Sequence, residues 1–149
     1  MNSAFLHTFR KIRLTIQDFI PLRELTILVA DDNHFFRKTV CEFVESLGHV
    51  KIVAEAFDGD QAVELARKLH PDMILMDINM PNKTGLEASR MIKNIFPDVF
   101  IVMITLHEGS FYRQLAKDCL ADEFIPKGEM KNRLTDLIIQ HQLRSRYDA

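Results

Sequence analysis

From Leu25 onward, short apolar runs alternate along the chain with segments in which apolar residues recur at helical spacing. Most of the runs are apolar without alternation, which is typical of parallel strands that are covered on both faces. The pattern therefore predicts five buried strands. They are residues 26–30, 50–54, 73–76, 100–104 and 123–125.

The segments between and after these runs predict five helices, because their apolar residues fall on one helical face. Gly48 closes the first helix, Pro71 follows the second and Pro97 follows the third. The third helix begins with capping-box spacing from Thr84 to Glu87. The apolar stripes are Phe36, Val40, Phe43, Val44 and Leu47; Ala62, Leu65, Ala66 and Leu69; Phe111, Leu115 and Cys119; and Met130, Leu134, Leu137, Ile138 and His141.

Strict alternation of strands and helices with short connections predicts a parallel sheet between two helical layers, because each crossover must be right-handed. We therefore expect residues 25–149 to form one doubly wound α/β domain with a five-stranded parallel sheet. Domains of this class place their sites at the carboxyl ends of the strands.

Residues 1–24 stand outside this pattern and form an N-terminal extension. Their apolar positions approximate a helical stripe, so we expect an extra N-terminal helix that packs on its own domain or on a partner copy in a homodimer. A helix on a membrane surface is the less favoured alternative. The stripe consists of Phe5, Leu6, Phe9, Ile12, Ile16, Phe19 and Ile20, and Arg10, Lys11 and Arg13 make the segment basic.

Composition narrows the possible partners of the chain. A net charge of -2 and a pI of about 6.3 argue against direct binding to nucleic acid or to an anionic membrane. No apolar run reaches the roughly 20 residues of a membrane span, and no signal peptide is evident, so we expect a cytoplasmic protein. Cys41 and Cys119 lie far apart without metal-ligand spacing, which indicates two reduced core thiols.

Polar residues stand at the ends of four predicted strands. Asp31 and Asp32 end the first strand, Asp77 the third, Thr105 the fourth and Lys127 the fifth, so all should converge on one edge of the sheet. Clustered carboxylates repel one another unless a cation intervenes, and oxygen ligands without histidine or cysteine favour Mg²⁺. A lysine and a hydroxyl opposite the metal would bind phosphoryl oxygens, and one carboxylate would be the nucleophile of an acyl phosphate.

These residues lie in motifs that resemble the receiver domain of bacterial response regulators over roughly residues 25–146. The resemblance implies a flavodoxin-like strand order of 2-1-3-4-5. Members with a similar final motif usually carry a helix-turn-helix, and because this chain ends at Ala149 we expect a stand-alone receiver. The matching motifs are Ile27-Leu28-Val29-Ala30-Asp31-Asp32-Asn33, residues 71–81 around Asp77, Thr84-Gly85-Leu86-Glu87, Ile104-Thr105 and Phe124-Ile125-Pro126-Lys127.

The resemblance also implies roles for single residues. Asp77 would be the phosphoacceptor, and Mg²⁺ would be held by Asp31, Asp32, Asp77 and the backbone carbonyl of Asn79. Thr105 and Lys127 would contact the phosphoryl group, and Phe124 would turn inward when Thr105 moves. The implied partners are a sensor histidine kinase or a histidine phosphotransfer protein, and a downstream protein bound by the fourth helix, fifth strand and fifth helix.

Several positions depart from the family pattern or have simpler interpretations. Leu106 replaces the small residue that usually follows the switch hydroxyl, so it is expected to narrow access to Asp77, and His107 is expected to tune the access of water. Leu120 replaces a glycine before the fifth strand. We interpret Asp58, Asp72 and Thr84 as turn or helix-capping residues, and we expect Asp58 and Asp72 to be dispensable.

Two other functions remain open. A degenerate receiver would act as an interaction module without phosphorylation. This alternative stays open because Leu106 is expected to narrow access to Asp77. A phosphatase of the haloacid-dehalogenase type would also use an aspartate nucleophile with Mg²⁺, but it requires an acidic residue where this chain has Asn79. We favour a phosphorylation switch that catalyses only its own aspartyl phosphorylation and dephosphorylation and is not a metabolic enzyme.

Overall fold

The computed structural model describes residues 22–147, with side chains described for residues 22–144. A five-stranded parallel sheet forms its centre, in the order β2-β1-β3-β4-β5. The predicted fold class and strand order are therefore confirmed. The helix predicted for the N-terminal extension lies almost wholly outside the described residues. The strands are β1 Leu25–Ala30, β2 Val50–Ala56, β3 Met73–Met76, β4 Phe100–Thr105 and β5 Glu123–Pro126.

Five α-helices follow the five strands, and a 3₁₀ turn, Lys127–Glu129, leads into the last of them. The predicted caps are confirmed: the Asp58 side chain accepts a hydrogen bond from the Gln61 backbone, and Thr84 and Glu87 form a complete capping box. These caps fix where the helices begin. The helices are α1 His34–Ser46, α2 Gly59–Leu69, α3 Gly85–Ile95, α4 Ser110–Asp118 and α5 Met130–Tyr147.

The sheet separates two hydrophobic layers, because successive side chains of each strand point to opposite faces. One layer lies under α2, α3 and α4, where small residues such as Ala62, Ala66 and Ala88 allow close helix packing. The other lies under α1 and α5, where Leu134 and Ile138 are fully buried. Burying each large side chain contributes about 1.5–3 kcal/mol, so the core rigidly fixes the strand ends that carry the polar residues.

The fourth helix differs from its predicted stripe. Phe111 is 68% exposed, while Leu115 and Cys119 are only partly buried, and α4 buries Ala116 instead. The stripe prediction was wrong for Phe111, because α4 is short and packs on the core through Ala116 and Tyr112. A large aromatic side chain is thereby left on the surface beside the carboxyl edge of the sheet.

Leu120 ends α4 in a strained conformation. Its backbone N–H donates to the Lys117 carbonyl, and the N–H of Ala121 donates to the Ala116 carbonyl, both at 3.0 Å, which together form a Schellman motif. The motif requires the left-handed region, and Leu120 has a φ of 66°. A residue with a Cβ atom raises the energy of that conformation by about 1–2 kcal/mol. Leu120 therefore adopts a backbone conformation that normally requires glycine, and this lowers the stability of the protein.

The two cysteines differ in their burial. Both cysteines are free thiols, and burial raises the pKa of Cys41 to about 11, so this thiol is unreactive at neutral pH. Cys119 is partly exposed and is not a core residue.

Among residues 22–147, no helix has both the length and the apolar character needed to cross a membrane.

Candidate metal centre

Three aspartates meet at the carboxyl edge of the sheet. β1 and β3 are adjacent with Ala30 opposite Met76, so the residues that follow them, Asp31 and Asp77, emerge side by side. The Asp77 N–H donates to the Ala30 carbonyl at 2.8 Å and fixes this register. Asp31, Asp32 and Asp77 can each offer an oxygen atom, and these atoms lie within 4.8 Å of one another. The predicted acidic cluster is therefore present.

Burial and the neighbouring carboxylates disfavour the ionised form of Asp77 in this cluster. Asp31 and Asp77 are 3% and 8% exposed, whereas Asp32 faces solvent. Desolvation raises the pKa of Asp77 to about 6; the charges of Asp31 and Asp32 also raise it, while Lys127 and the Ile78 backbone oppose the shift. Crowded carboxylate oxygens with no histidine or cysteine among them suit a hard divalent cation, so the donor set fits Mg²⁺.

Lys127 is the cation that the chain itself supplies to the cluster. Its Nζ lies 2.7 Å from Asp31 Oδ2 and 3.8 Å from Asp77 Oδ1, and its side chain is 10% exposed. The ammonium also lies 4.0 Å from the centroid of the Phe36 ring, a favourable cation–π distance. Lys127 thus links the end of β5 to the ends of β1 and β3 and leaves a net negative site.

Thr105 and Phe124, the predicted switch pair, are both buried. Thr105 ends β4 with no exposed surface, and its Oγ1 accepts a hydrogen bond of 3.2 Å from the His107 N–H. Phe124 is 4% exposed and belongs to the core layer under α4. The Arg113 guanidinium from α4 lies 5.1 Å from the centroid of the Phe124 ring. The aromatic ring is therefore turned inward and connects β5 with α4.

The residues at the mouth of the site are linked to each other. The Asn79 side-chain amide is in contact with Nε2 of His107, and the His107 ring stacks on Tyr112 of α4 with centroids 4.4 Å apart. Leu106 is 78% exposed and has no place in the core. The structure thus brings Asn79 and His107 together, with the exposed Leu106 between Thr105 and His107 in the chain.

Arg37 is a site residue that the sequence analysis missed. It is 7% exposed on α1, and its Nη1 donates to the Asp31 carbonyl at 2.8 Å while its Nε lies 2.8 Å from Glu55 Oε2. The guanidinium therefore joins the ends of β1 and β2 beneath the acidic cluster. A signal was present, because Arg37 interrupts the apolar face of the first predicted helix between Phe36 and Val40.

Gly85 is the second residue with an unrecognised role. A Cβ atom built at this position would lie 1.9 Å from the Asp77 carbonyl oxygen, far inside contact distance. The Gly85 N–H also donates to the Ile78 carbonyl at 2.8 Å. Glycine therefore allows the start of α3 to touch the loop that carries Asp77 and to hold it in place.

Asp72 lies at the opposite, amino edge of the sheet and is more than a turn residue. Its carboxylate accepts hydrogen bonds from Thr26 N at 2.9 Å and Thr26 Oγ1 at 2.8 Å and lies 2.5 Å from an Arg23 nitrogen. Burial acts to raise the pKa of Asp72, but the hydrogen bonds from Thr26 and Arg23 outweigh it and lower that pKa. Asp72 fastens β1 to β3, so its predicted dispensability conflicts with these contacts.

Comparisons with known proteins agree with this geometry. The family model of the response regulator receiver domain matches residues 27–139. The chain is 38% identical over 89 residues to the transcriptional regulatory protein DegU of Brevibacillus brevis, covering 60% of this chain and 38% of DegU. The chain belongs to the response regulator receiver family. It spans well under two thirds of the length of such curated relatives.

Two solved structures show the same architecture. The response regulator domain of Thermotoga maritima CheB has 30% sequence identity and a TM-score of 0.71, with 84% of this chain and 98% of that chain covered. The CheX–CheY–BeF3–Mg complex of Borrelia burgdorferi matches with 25% identity and a TM-score of 0.67, covering 76% of this chain and 89% of that chain. Both are receivers built on this fold.

Proposed function

We propose that this chain is a phosphorylation switch in which Asp77 accepts a phosphoryl group in a Mg²⁺-dependent reaction. The observation that carries the proposal is the acidic cluster with Lys127 bridging Asp31 and Asp77 at the carboxyl edge of the sheet. Membership of the receiver family supports the same role. Lys127 lies 2.7 Å from Asp31 but 3.8 Å from Asp77, so the Asp77 oxygen is less closely paired and remains available.

The chemistry assigned to Asp77 is nucleophilic attack on phosphorus. An ionised carboxylate oxygen forms the new O–P bond while the bond from phosphorus to the donor breaks, and the donor leaves with its bonding electrons. A phosphohistidine donor then takes up a proton on the released imidazole. In the metal-free site burial raises the pKa of Asp77 to about 6, so before Mg²⁺ binds the reactive ionised form predominates above that pH.

Mg²⁺ fits the donor set, and Asp31, Asp32, Asp77 and the backbone carbonyl of Asn79 would hold it. When bound, the ion would neutralise carboxylate charge and polarise phosphoryl oxygens. Asp31 and Asp32 would hold the ion, and Lys127 would bind a phosphoryl oxygen. Release of Lys127 from its 2.7 Å pair with Asp31 would accompany this step.

The proposed output runs through Thr105 and Phe124. The acyl phosphate on Asp77 would carry about two negative charges in place of the single charge of the carboxylate, and its strong hydrogen-bond acceptors would attract the Thr105 hydroxyl. Movement of Thr105 would break the hydrogen bond from the His107 N–H and alter the packing around Phe124 and Arg113. α4, β5 and α5 would present this change to a downstream protein.

A protein phosphodonor, a histidine kinase or a histidine phosphotransfer protein, is favoured by the surface around the site. Phe35, Leu106 and Phe111 are 81%, 78% and 68% exposed, and all follow strand ends at the carboxyl edge. Large exposed apolar side chains at the edge that carries the site are a feature of protein-binding surfaces. A pure interaction module would use the same surface, so phosphorylation must be tested directly.

The phosphatase alternative receives little support. Its general acid would stand two residues after the nucleophile, and that position holds Asn79, whose side chain contacts His107. An amide cannot donate and regain a proton as an acid does. We therefore propose that the chain has no metabolic activity and acts only on its own aspartyl phosphate.

The mimic beryllofluoride tests the site without turnover. With Mg²⁺ it should raise the melting temperature of the wild type, because a ligand at 100 times its Kd stabilises the folded state by about 2.7 kcal/mol. Asp77→Asn should abolish this gain, whereas the matched variant Asp58→Asn, at the cap of α2, should keep it. Equal gains in the wild type and Asp77→Asn would exclude Asp77 as acceptor.

A further inference from the structure

An aromatic ring shares the Lys127 ammonium with the acidic cluster. The Lys127 Nζ lies 2.7 Å from Asp31 Oδ2, 3.8 Å from Asp77 Oδ1 and 4.0 Å from the centroid of the Phe36 ring. The Lys127 side chain is only 10% exposed, so water competes little for the ammonium, and the attraction between a cation and a ring face is strongest when the cation is desolvated. Phe36 is the uncharged member of these three partners.

The first turn of α1 fixes the position of this ring. The Phe36 N–H donates to Asn33 Oδ1 at 3.0 Å, and the Asn33 N–H donates to Asp31 Oδ1 at 2.8 Å. Arg37, the next residue, donates from Nη1 to the Asp31 carbonyl at 2.8 Å. The ring is half-buried against the core layer under α1 and α5, and with Asp31 and Asp77 it lines a cavity of about 10 Å³. Phe36 is therefore built into the wall of the site.

The balance between the three partners of Lys127 changes when the site is loaded. Asp31 and Asp77 are the proposed ligands of Mg²⁺, so their charge would then be partly neutralised and the ammonium would face a second positive charge. The Phe36 ring is neutral and is not a ligand, so its attraction for the ammonium would persist. A lysine on its flexible stem would otherwise leave for solvent. The ring therefore matters more in the loaded site than in the metal-free one.

We propose that Phe36 is a positioning residue that keeps the Lys127 ammonium in the site, where it binds the phosphoryl group on Asp77. This inference rests on the proposed function, because phosphoryl binding by Lys127 is part of it. Phe36 acts only through Lys127 and contacts neither the phosphoryl group nor the metal.

The proposal predicts that two binding affinities diverge when the ring is removed. Binding of a phosphoryl mimic should weaken, because it needs the ammonium. Binding of Mg²⁺ should not weaken, because a lysine that leaves the site no longer repels the metal. A merely structural role would weaken both, since the first turn of α1 also holds Asp31, which both binding events require.

Calorimetric titration of Phe36→Leu tests this divergence, first with Mg²⁺ alone and then with beryllofluoride at saturating Mg²⁺. Leucine keeps apolar bulk but has no ring face. We expect the beryllofluoride affinity to fall about tenfold, which corresponds to about 1.4 kcal/mol and is typical of a desolvated cation–π contact. The Mg²⁺ affinity should equal or exceed that of the wild type.

Phe43→Leu is the matched control. Phe43 lies about two turns further along α1, is half-buried against the same core layer and has no cation–π contact with a described residue. Both affinities should stay unchanged in this variant. Phenylalanine analogues with increasing ring fluorination at position 36 nearly keep the shape of the ring but remove its negative face, so they should lower the beryllofluoride affinity stepwise.

NMR of protein with ¹³C-labelled lysine adds a readout that needs neither ligand. The ring current of Phe36 should shift the Lys127 methylene protons upfield, and Phe36→Leu should remove the shift; Lys127→Arg assigns the signal. The proposal is wrong if the shift is absent, if the two affinities fall together in Phe36→Leu, or if the beryllofluoride affinity does not respond to loss or fluorination of the ring. A wild type that binds no beryllofluoride would instead overturn the proposed function, and this inference with it.

Discussion

Replacing Asp77 by asparagine should stabilise the metal-free protein at neutral pH, although Asp77 is the residue on which the proposed function depends. Burial and the neighbouring Asp31 and Asp32 raise the pKa of Asp77 from 3.8 to about 6. A pKa difference of about two units corresponds to a free-energy cost of about 3 kcal/mol for ionising Asp77 in the folded state, at 1.36 kcal/mol per unit. Because solvent screens part of this interaction, we expect a gain of about 1–3 kcal/mol.

The sign follows from proton binding. Between about pH 4 and pH 6 the folded state holds a proton on Asp77 that the unfolded state has released, so the free energy of unfolding falls as the pH rises through this window. Above about pH 6 both states are ionised and the wild type carries the full penalty. The advantage of Asp77→Asn should therefore be largest at pH 7.5 and shrink toward pH 4.5.

Urea unfolding in EDTA at several pH values measures this difference. Asp72→Asn is the matched control, because hydrogen bonds from Thr26 and Arg23 lower the pKa of Asp72, and its loss should destabilise the protein at pH 7.5 and matter less as the pH falls. The electrostatic account is refuted if Asp77→Asn is no more stable than the wild type at pH 7.5, or if its advantage does not change with pH.

Three further substitutions test the structure around the site. Gly85→Ala should reduce stability and Mg²⁺ affinity together, because its Cβ displaces the Asp77 backbone; Gly128→Ala, where the added Cβ meets nothing within 4 Å, is its control in urea melts and Mg²⁺ titrations. Leu120→Gly should raise the free energy of unfolding by about 1 kcal/mol, because glycine adopts the left-handed conformation freely, and a loss of stability would contradict the assigned strain. Leu106→Ala should speed phosphorylation by small donors in stopped-flow measurements, and a tenfold gain corresponds to about 1.4 kcal/mol of barrier. Because Leu106 is 78% exposed, the stability of the Leu106→Ala variant should hardly differ from that of the wild type. An unchanged phosphorylation rate would show that Leu106 does not limit access to Asp77.

The sequence was sufficient to predict the sheet and the acidic cluster because both depend on order along the chain. Uninterrupted apolar runs identify buried parallel strands, and a polar residue directly after such a run must lie at the carboxyl edge. Asp31, Asp32 and Asp77 therefore come together whatever the details of packing. Local signals served equally well for the helix caps at Asp58 and Thr84.

Other features depend on contacts between distant residues and could not be read from local patterns. Arg37 is buried because Glu55 and the Asp31 carbonyl satisfy its guanidinium, and neither partner is evident from the first helix alone. Phe111 has helical spacing but is exposed, because α4 packs on the core through Ala116 and Tyr112 instead. The close approach of Gly85 to Asp77 likewise arises only once α3 is packed.

The measurement that tests the central claim most directly is the intact mass of the protein after incubation with acetyl phosphate and Mg²⁺. The account predicts the addition of one phosphoryl group, located on Asp77 by reductive trapping and peptide mapping, and its absence in EDTA or in Asp77→Asn. Phosphorylation of Asp77→Asn to the level of the wild type, or no phosphorylation of a folded wild type by either acetyl phosphate or a phosphohistidine donor, would contradict the account.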